Sequence, residues 1–516
     1  MPDGQGRLVR RGTARSRSGC ITCKIRHVKC GEEKPNCLKC VNSGRKCDGY
    51  STATQMQHRA RLEQAYRRPT MSFSADHTLV MTPGSKQERQ YLNTFYAQGA
   101  GCVSGLISSD LWNQLIPQLI HQQPMIRHAV AAVSAACLEQ FCPIGSSVSQ
   151  NSVVALRQYN KAIKEFVDFA SKAQSQEFEH VLVGCILFIC LEMVRGDQDQ
   201  ALSHLDGALQ LMQRYRARTG DRALDSPVFQ FLCRLNNQQP YLGRAIVPLE
   251  SEADFKEMDK EPMHFDNIEQ ARAITTTMQR RTIMFNGSMS LNENGEIATE
   301  KMQQEYNAIL QMAPAWEAAF QKFIVDSAKK SKSLDPRAIF AMEIAHHTCT
   351  VYAKTCLSHI ESDYDVHASH WEAIIHAAEQ ILLLSVDPQN ITSPLSKLFS
   401  IEAEITPMVS FTAARCRDPL LRRRAVSVLA RHPKREGFWN TKVAHRLVER
   451  VVEFEEAPLA TLPIEQRIPL EHQRLCLAYA AATQGVYRNP VPVFMMWKPD
   501  GPKTAVKTWW EYLNWE

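Results

Sequence analysis

Six cysteines among the first 50 residues fall in a doubled spacing, Cys20-x2-Cys23-x6-Cys30 and Cys37-x2-Cys40-x6-Cys47, with six residues between the units. Thiolates spaced this way bind borderline-soft divalent ions, and zinc takes four of them in a tetrahedron. Two ions need eight ligand positions, so six thiolates suffice when two of them bridge both metals. The spacing therefore predicts a cluster of two Zn2+ ions and six thiolates. In a reducing compartment, cysteines at metal spacing act as ligands rather than disulfides. The remaining ten of the 16 cysteines, Cys185, Cys190 and Cys233 among them, are scattered over apolar segments and read as core residues.

The elements that position these ligands carry charge suited to a polyanion. Lys24, Ile25, Arg26, His27, Val28 and Lys29 fill the gap between the second and third cysteines. A short helix there sets Lys24 and His27 one turn apart on one side, with Ile25 and Val28 turned towards the metal cluster. Gly31 stands where the chain must leave that helix, and Pro35 stiffens the loop between the units. Residues 1–68 hold 16 Lys and Arg against 5 Asp and Glu, so the net +6 of the 516-residue chain leaves −5 for the remainder. A basic end on a mildly acidic body points to a polyanion partner for that end. Arg7, Arg10, Arg11, Arg15 and Arg17 stand among Gly and Ser. Such a tail is expected to be disordered, and to touch phosphates or serve nuclear import.

The segment GCITCKIRHVKCGEEKPNCLKCVNSGRKCDGY resembles the fungal binuclear zinc cluster family of transcription factors. It does so at every ligand spacing and at the flanking Gly19, Lys29, Pro35, Gly44, Gly49 and Tyr50. The resemblance implies that Cys20 and Cys37 bridge the two metals. It also implies that the first helix enters the major groove of double-stranded DNA to read a CGG-type triplet. His27 falls at the base-reading position, where the family usually has a cation, and Lys24, Arg26 and Lys29 match the basic pattern beside it. A neutral histidine makes one bond to a base edge but not the bidentate grip of Arg or Lys on guanine. Gly31 departs from the acidic residue usual after the third ligand.

Beyond the cluster, residues 51–84 are polar, broken by Pro69 and Pro83-Gly84, and lack sustained heptads, so they read as a linker. Ser85 with Glu88 forms a capping box, and Pro124 is placed to open a later helix. Helical periodicity continues over 152–172, 177–195, 198–217, 265–283, 298–328, 335–360, 370–385, 395–416 and 440–457. The Pro-rich 487–497 segment suits an extended piece, and the Trp-rich end a terminal helix docked on the body by its tryptophans. The expected fold class is mainly α: a basic tail (1–19), a zinc module (20–50), a linker (51–84) and one large all-helical domain (85–516). Glu88 to Leu92, Ile126 to Val130, Gln158 to Ala162, Cys416 to Pro419, Leu421 to Ala425 and Arg435 to Gly437 resemble landmarks of the fungal-specific transcription factor domain. That resemblance implies a regulatory body.

No phosphate loop, dinucleotide fingerprint or nucleophile elbow is present, so the chain does not read as an enzyme. His346, His347 and Cys349, like His367, His370 and His376, do not share one helix face and are expected to be core or surface residues. The basic run Leu421 to Arg424, with Arg431, Lys434 and Arg435, reads as a solvated helix face. The most apolar stretch, Val181 to Leu191, is shorter than the ~20 residues a membrane span needs. The expectation is a soluble nuclear protein that binds DNA sequence-specifically, regulates RNA polymerase II transcription and meets co-regulators. Any homodimer forms through the helical body. The alternative is a zinc module that serves as a protein-interaction scaffold without reading DNA.

Overall fold

The computed structural model describes residues 20, 22–23, 28–34, 36–47, 83–99, 105–107, 109–139, 150–172, 177–219, 226–289, 296–297, 299–331, 334–386, 399–481, 489–499 and 505–515. The Arg-rich tail and the basic stretch His58 to Arg68 lie outside them. The chain divides into two compact units, Met1–Met81 and Thr82–Glu516. In the first, the buried cluster consists of cysteines, around one short helix, α1 (Leu38–Val41).

The second unit opens with α2 (Lys86–Thr94). Its capping box is formed as expected: Glu88 N donates to Ser85 Oγ (3.2 Å) and Ser85 N to Glu88 Oε2 (2.7 Å). Then come α3 (Ile116–Gln122), α4 (Pro124–Glu139), α5 (Gln150–Lys172), α6 (Phe178–Arg195), α7 (Gln198–Thr219) and α8 (Pro227–Asn236). Gly196 ends α6 with φ of 84°, a left-handed cap that lets α7 fold back along α6. Next are α9 (Glu252–Met258), α10 (Ile268–Ser288), α11 (Glu300–Lys329), α12 (Pro336–Thr355) and α13 (Ala368–Val386). The last helices are α14 (Thr406–Arg415), α15 (Pro419–Arg431) and α16 (Thr441–Glu456). The mainly α class expected from the periodicity is what the structure has.

Two large apolar cores fill this unit. One gathers α2 to α8 around Trp112, which meets Phe231 edge-on with ring centroids 5.5 Å apart. The other gathers α10 to α16 around Trp316 and Trp371. The helix expected over 395–416 is only half formed. Phe399–Ser400 is a short strand, β1, and α14 begins at Thr406 with Pro407 in its first turn. Proline has no N–H to give a preceding carbonyl, so it suits a helix start and not a helix interior. β1 pairs in parallel with β2 (Arg435–Glu436), which pairs antiparallel with β3 (Trp439–Asn440).

The chain end forms an antiparallel sheet in the order β4 (Leu475–Ala480), β5 (Val491–Trp497), β6 (Lys507–Leu513). The extended piece expected over 487–497 is β5. The expected terminal helix is instead β6: aromatic residues favour a pleated surface, and β5 offers a partner edge along the whole of β6. Val491, Val493 and Met495 face Val443 and Val451 of α16, and Trp509 lies against Phe454 with ring centroids 5.4 Å apart.

The basic run on α15 is not a solvated face. Arg422 is fully buried with Nη2 2.7 Å from Glu455 Oε2, Arg423 pairs with Glu456 and Arg424 with Glu379. Lys434 Nζ sits 2.6 Å from Glu404 Oε1, and Arg435 donates to Met193 O (3.1 Å). Packing α15 between α13, α14 and α16 brings Arg422, Arg423 and Arg424 to acids that lie far off in sequence, while Arg431 at its end stays exposed as expected. Arg417 also reaches Glu455, at 2.9 Å, and Leu475 N donates to the same carboxylate (2.8 Å). Burial would push the Glu455 carboxyl up, but Arg417, Arg422 and that N–H hold it at about 2.

The histidines singled out from the sequence lie on or beside α12 and α13. His346 is buried flat on Trp316 (ring centroids 4.5 Å, 12° apart), and His347 Nδ1 lies 3.1 Å from His370 Nδ1. Among the described residues, none of them belongs to a group of three side chains that converge as ligands. Burial, reinforced by His347 and His370, lowers His346 to about 3.

Two predictions follow from these buried groups. Glu455→Gln leaves buried Arg422 without its acid and Arg417 with Glu361 alone, and should lower the unfolding free energy by about 3–5 kcal/mol in urea titrations. A loss below about 1 kcal/mol contradicts the pairing. Because its folded pKa lies below the ordinary ~4.3, the contribution of Glu455 is complete above that value and drains away as pH falls towards 2. His346 acts in a higher window. Its folded pKa is also depressed, so the unfolded chain binds the extra proton below the ordinary ~6.5. Stability should then fall by up to about 1.4 kcal/mol per pH unit on acidifying from 6.5 towards 5. Urea unfolding of His346→Phe at pH 7 and pH 5 should show a shallower loss; an unchanged slope rejects the assignment.

Candidate metal centre

Each cysteine unit folds onto itself through the same pair of N–H···S bonds. In the first, Cys23 N donates to Cys20 Sγ (3.4 Å) and Cys20 N to Cys30 Sγ (3.3 Å). In the second, Cys40 N donates to Cys37 Sγ (3.3 Å) and Cys37 N to Cys47 Sγ (3.5 Å). The sequence repeat is therefore a structural repeat. Cys37 caps α1 with its sulfur, and Gly44, at φ of 66°, carries the chain through the turn beyond it.

The two repeats meet sulfur to sulfur. Cys20 Sγ is 3.5 Å from Cys37 Sγ and 3.8 Å from Cys40 Sγ, while Cys23 Sγ is 3.6 and 3.7 Å from the same two atoms. A disulfide holds its sulfurs about 2.05 Å apart, so these are thiols. Four sulfurs held tetrahedrally at about 2.3 Å from one zinc ion stand about 3.8 Å apart. Two quartets have all their sulfurs within 4.8 Å of one another: Cys20, Cys23, Cys30 and Cys37, then Cys20, Cys37, Cys40 and Cys47. Cys20 and Cys37 belong to both. The donor set fits zinc in number, chemistry and spacing.

The electrostatics ask for a cation. Burial, together with neighbouring sulfurs, pushes the thiols of Cys20, Cys23 and Cys40 up, Cys23 to about 12. At Cys30 burial acts the same way, but N–H donors from Cys20 and Glu32 outweigh it and bring the thiol down to about 7. Thiolates crowded this closely are stable together only when positive charge sits among them.

The DNA-contact candidates fare differently. Lys24, Arg26 and His27 lie outside the described residues, as do Ile25 and Pro35. Lys29 is exposed, and so are Lys39, Arg45 and Lys46. Val28 is 37% exposed rather than turned into the cluster; the cysteines themselves fill that space. Gly31 does not provide the left-handed turn after the third ligand. Glu32 does, at φ of 67°, where its N–H reaches Cys30 Sγ (3.4 Å).

An acid–histidine group, Glu404, His432 and Glu436, escapes sequence reasoning because Glu404 lies far along the chain from the other two. It is a structural lock. Glu436 Oε2 accepts N–H bonds from Glu404, Ile405 and Thr406 (2.9, 3.0 and 2.9 Å), and Oε1 lies 2.6 Å from His432 Nε2. Lys434 already supplies the cation at Glu404. Among the described residues no helix is long and apolar enough to cross a membrane.

Comparison with known proteins agrees with this geometry. Residues 18–57 match the fungal Zn(2)-Cys(6) binuclear cluster domain, and residues 90–451 match the fungal specific transcription factor domain. The aspercryptin biosynthesis cluster-specific transcription regulator of Emericella nidulans is 22% identical over 86% of this chain and 88% of its own length. Transcription regulator lscL of Purpureocillium lilacinum is 26% identical over 38% of this chain and 49% of its own. The transcriptional regulatory protein moc3 of Schizosaccharomyces pombe is 37% identical over 16% of each chain. No solved structure matches. With a cysteine cluster built for zinc and a family match spanning most of its length, the chain belongs to the fungal transcription regulators that join a zinc-binding, DNA-binding cluster domain to a fungal-specific transcription factor domain, and it is not an enzyme.

Proposed function

We propose that this protein is a nuclear, sequence-specific DNA-binding regulator of RNA polymerase II transcription. Residues 20–50 form the reading head on a two-zinc cluster, residues 1–19 a basic tail, 51–84 a linker and 85–516 the regulatory body. Cys20, Cys23, Cys30, Cys37, Cys40 and Cys47 are the ligands. Cys20 and Cys37 bridge, and the observation that carries this reading is their membership of both sulfur quartets. Bound zinc neutralises the thiolates and cross-links a module too small to fold on apolar packing. Lys24, Arg26 and Lys29 engage phosphates of double-stranded DNA, and His27 meets a base edge of a CGG-type triplet. The helical body supplies self-association and contacts to co-regulators.

Elemental analysis of the purified full chain should give two zinc ions. Cys20→Ala or Cys37→Ala should lose both and abolish DNA binding; retained affinity in either variant defeats the bridging assignment. Selection from random duplexes by the full chain should enrich a CGG-type triplet. Lys24→Ala and Arg26→Ala should each weaken binding to every sequence and reduce the salt slope by about 1. His27→Ala should shift the preferred triplet, and an unaltered preference removes it from the base-reading role. A zinc-loaded chain that enriches no sequence would favour the protein-scaffold reading instead.

A further inference from the structure

The second unit holds a cavity of about 130 Å³, placed where α10, α12 and the stretch after β1 converge. Part of its wall is apolar, from Ile107, Ala341, Met342, Ala345 and Met408. Thr275 and Thr276 add methyl surface, because their hydroxyls are spent on the carbonyls of Ala271 and Arg272 (2.9 and 2.8 Å). The polar part of the lining includes Arg234, Gln238, Arg272 and Glu402. Arg272 is 8% exposed and Gln238 7%. Yet Arg272 Nε and Gln238 Oε1 are buried without a hydrogen-bond partner, and Arg234 Nη1 has no hydrogen bond, only an ion-pair contact with Glu269 Oε1 at 3.7 Å. Leaving one such atom unmatched costs about 1–3 kcal/mol, so their gathering on one cavity marks a place built for a partner.

Charge balance decides the kind of partner. Arg234 is already paired with Glu402 (2.6 Å) and Arg272 with Glu269 (2.7 Å). A carboxylate ligand would add a buried negative charge with nothing left to compensate it. A neutral carbonyl accepts from the free guanidinium N–H groups without upsetting the balance, and an amide N–H supplies the donor that Gln238 Oε1 lacks. Water satisfies polar atoms but gains nothing from the apolar wall. An apolar cavity of roughly 150 Å³ holds one benzene ring; at about 130 Å³ and partly open to solvent, this one takes a ring whose edge reaches the mouth. We propose that this cavity binds a small neutral ligand, an apolar body of about one ring carrying a carbonyl or amide head. The site is lined by residues of the second unit alone and does not depend on how DNA is read.

Saturation-transfer NMR on the purified full chain, with benzamide, benzoate and toluene as probes, tests the site. Benzamide should receive saturation and titrate about tenfold more tightly than either of the others, a difference of about 1.4 kcal/mol. The transfer should vanish in Ala345→Phe, where a ring added at a half-buried position fills the space. Should that variant melt early, Ala341→Leu gives the same readout with a smaller filler. No transfer to benzamide, equal binding of all three probes, preference for benzoate, or transfer that persists in a well-folded filled variant would each overturn the proposal.

Discussion

Two sulfur atoms, those of Cys20 and Cys37, stand at the corner of both quartets, and the described residues from Cys20 to Cys47 are organised around that sharing. Among these described residues there is no apolar core to fall back on: the buried cluster is made of cysteines, while Val28, Leu38 and Val41 are exposed. Backbone N–H groups from each repeat point at the sulfurs of the same repeat, so the peptide chain itself helps to carry the negative charge. A module this small needs a rigid support, and here the support is the sulfur cluster rather than apolar packing.

The regulatory body solves its folding problem with apolar layers, but buried ion pairs fix how the layers register. Arg280 pairs with Glu250, Arg281 with Asp259 and Glu305, Arg234 with Glu402, and Arg417 and Arg422 share Glu455. Such pairs add little net stability over apolar packing, yet each is costly to break from one side. Alternative packings of these helices would strand a buried guanidinium. The pairs therefore act against wrong arrangements as much as for the right one.

What the sequence made legible was local. The cysteine spacing within each unit, the capping box at Ser85 and the proline at the head of α4 all rest on residues within a few positions of each other, and the structure has them all. What depended on distant partners was not legible. The cations of α15 look solvated until Glu455, Glu456 and Glu379 are brought alongside. The aromatic chain end suits helix or strand equally until β5 provides an edge. The cavity polar group is the extreme case, since Arg234, Arg272 and Glu402 come from three separated segments.

The stretch from Phe399 to Ile405 ties the body together in a way its small size conceals. Phe399 and Ile401 are buried in one helical core and Ile405 in the other. Between them, Glu402 is fastened to Arg234 and Glu404 to Lys434, while Glu436 grips the backbone from Glu404 to Thr406. These few residues work as a rivet through two plates. Neither layer can slide or peel away without unseating the pin, so heat should melt the body in a single cooperative step rather than layer by layer.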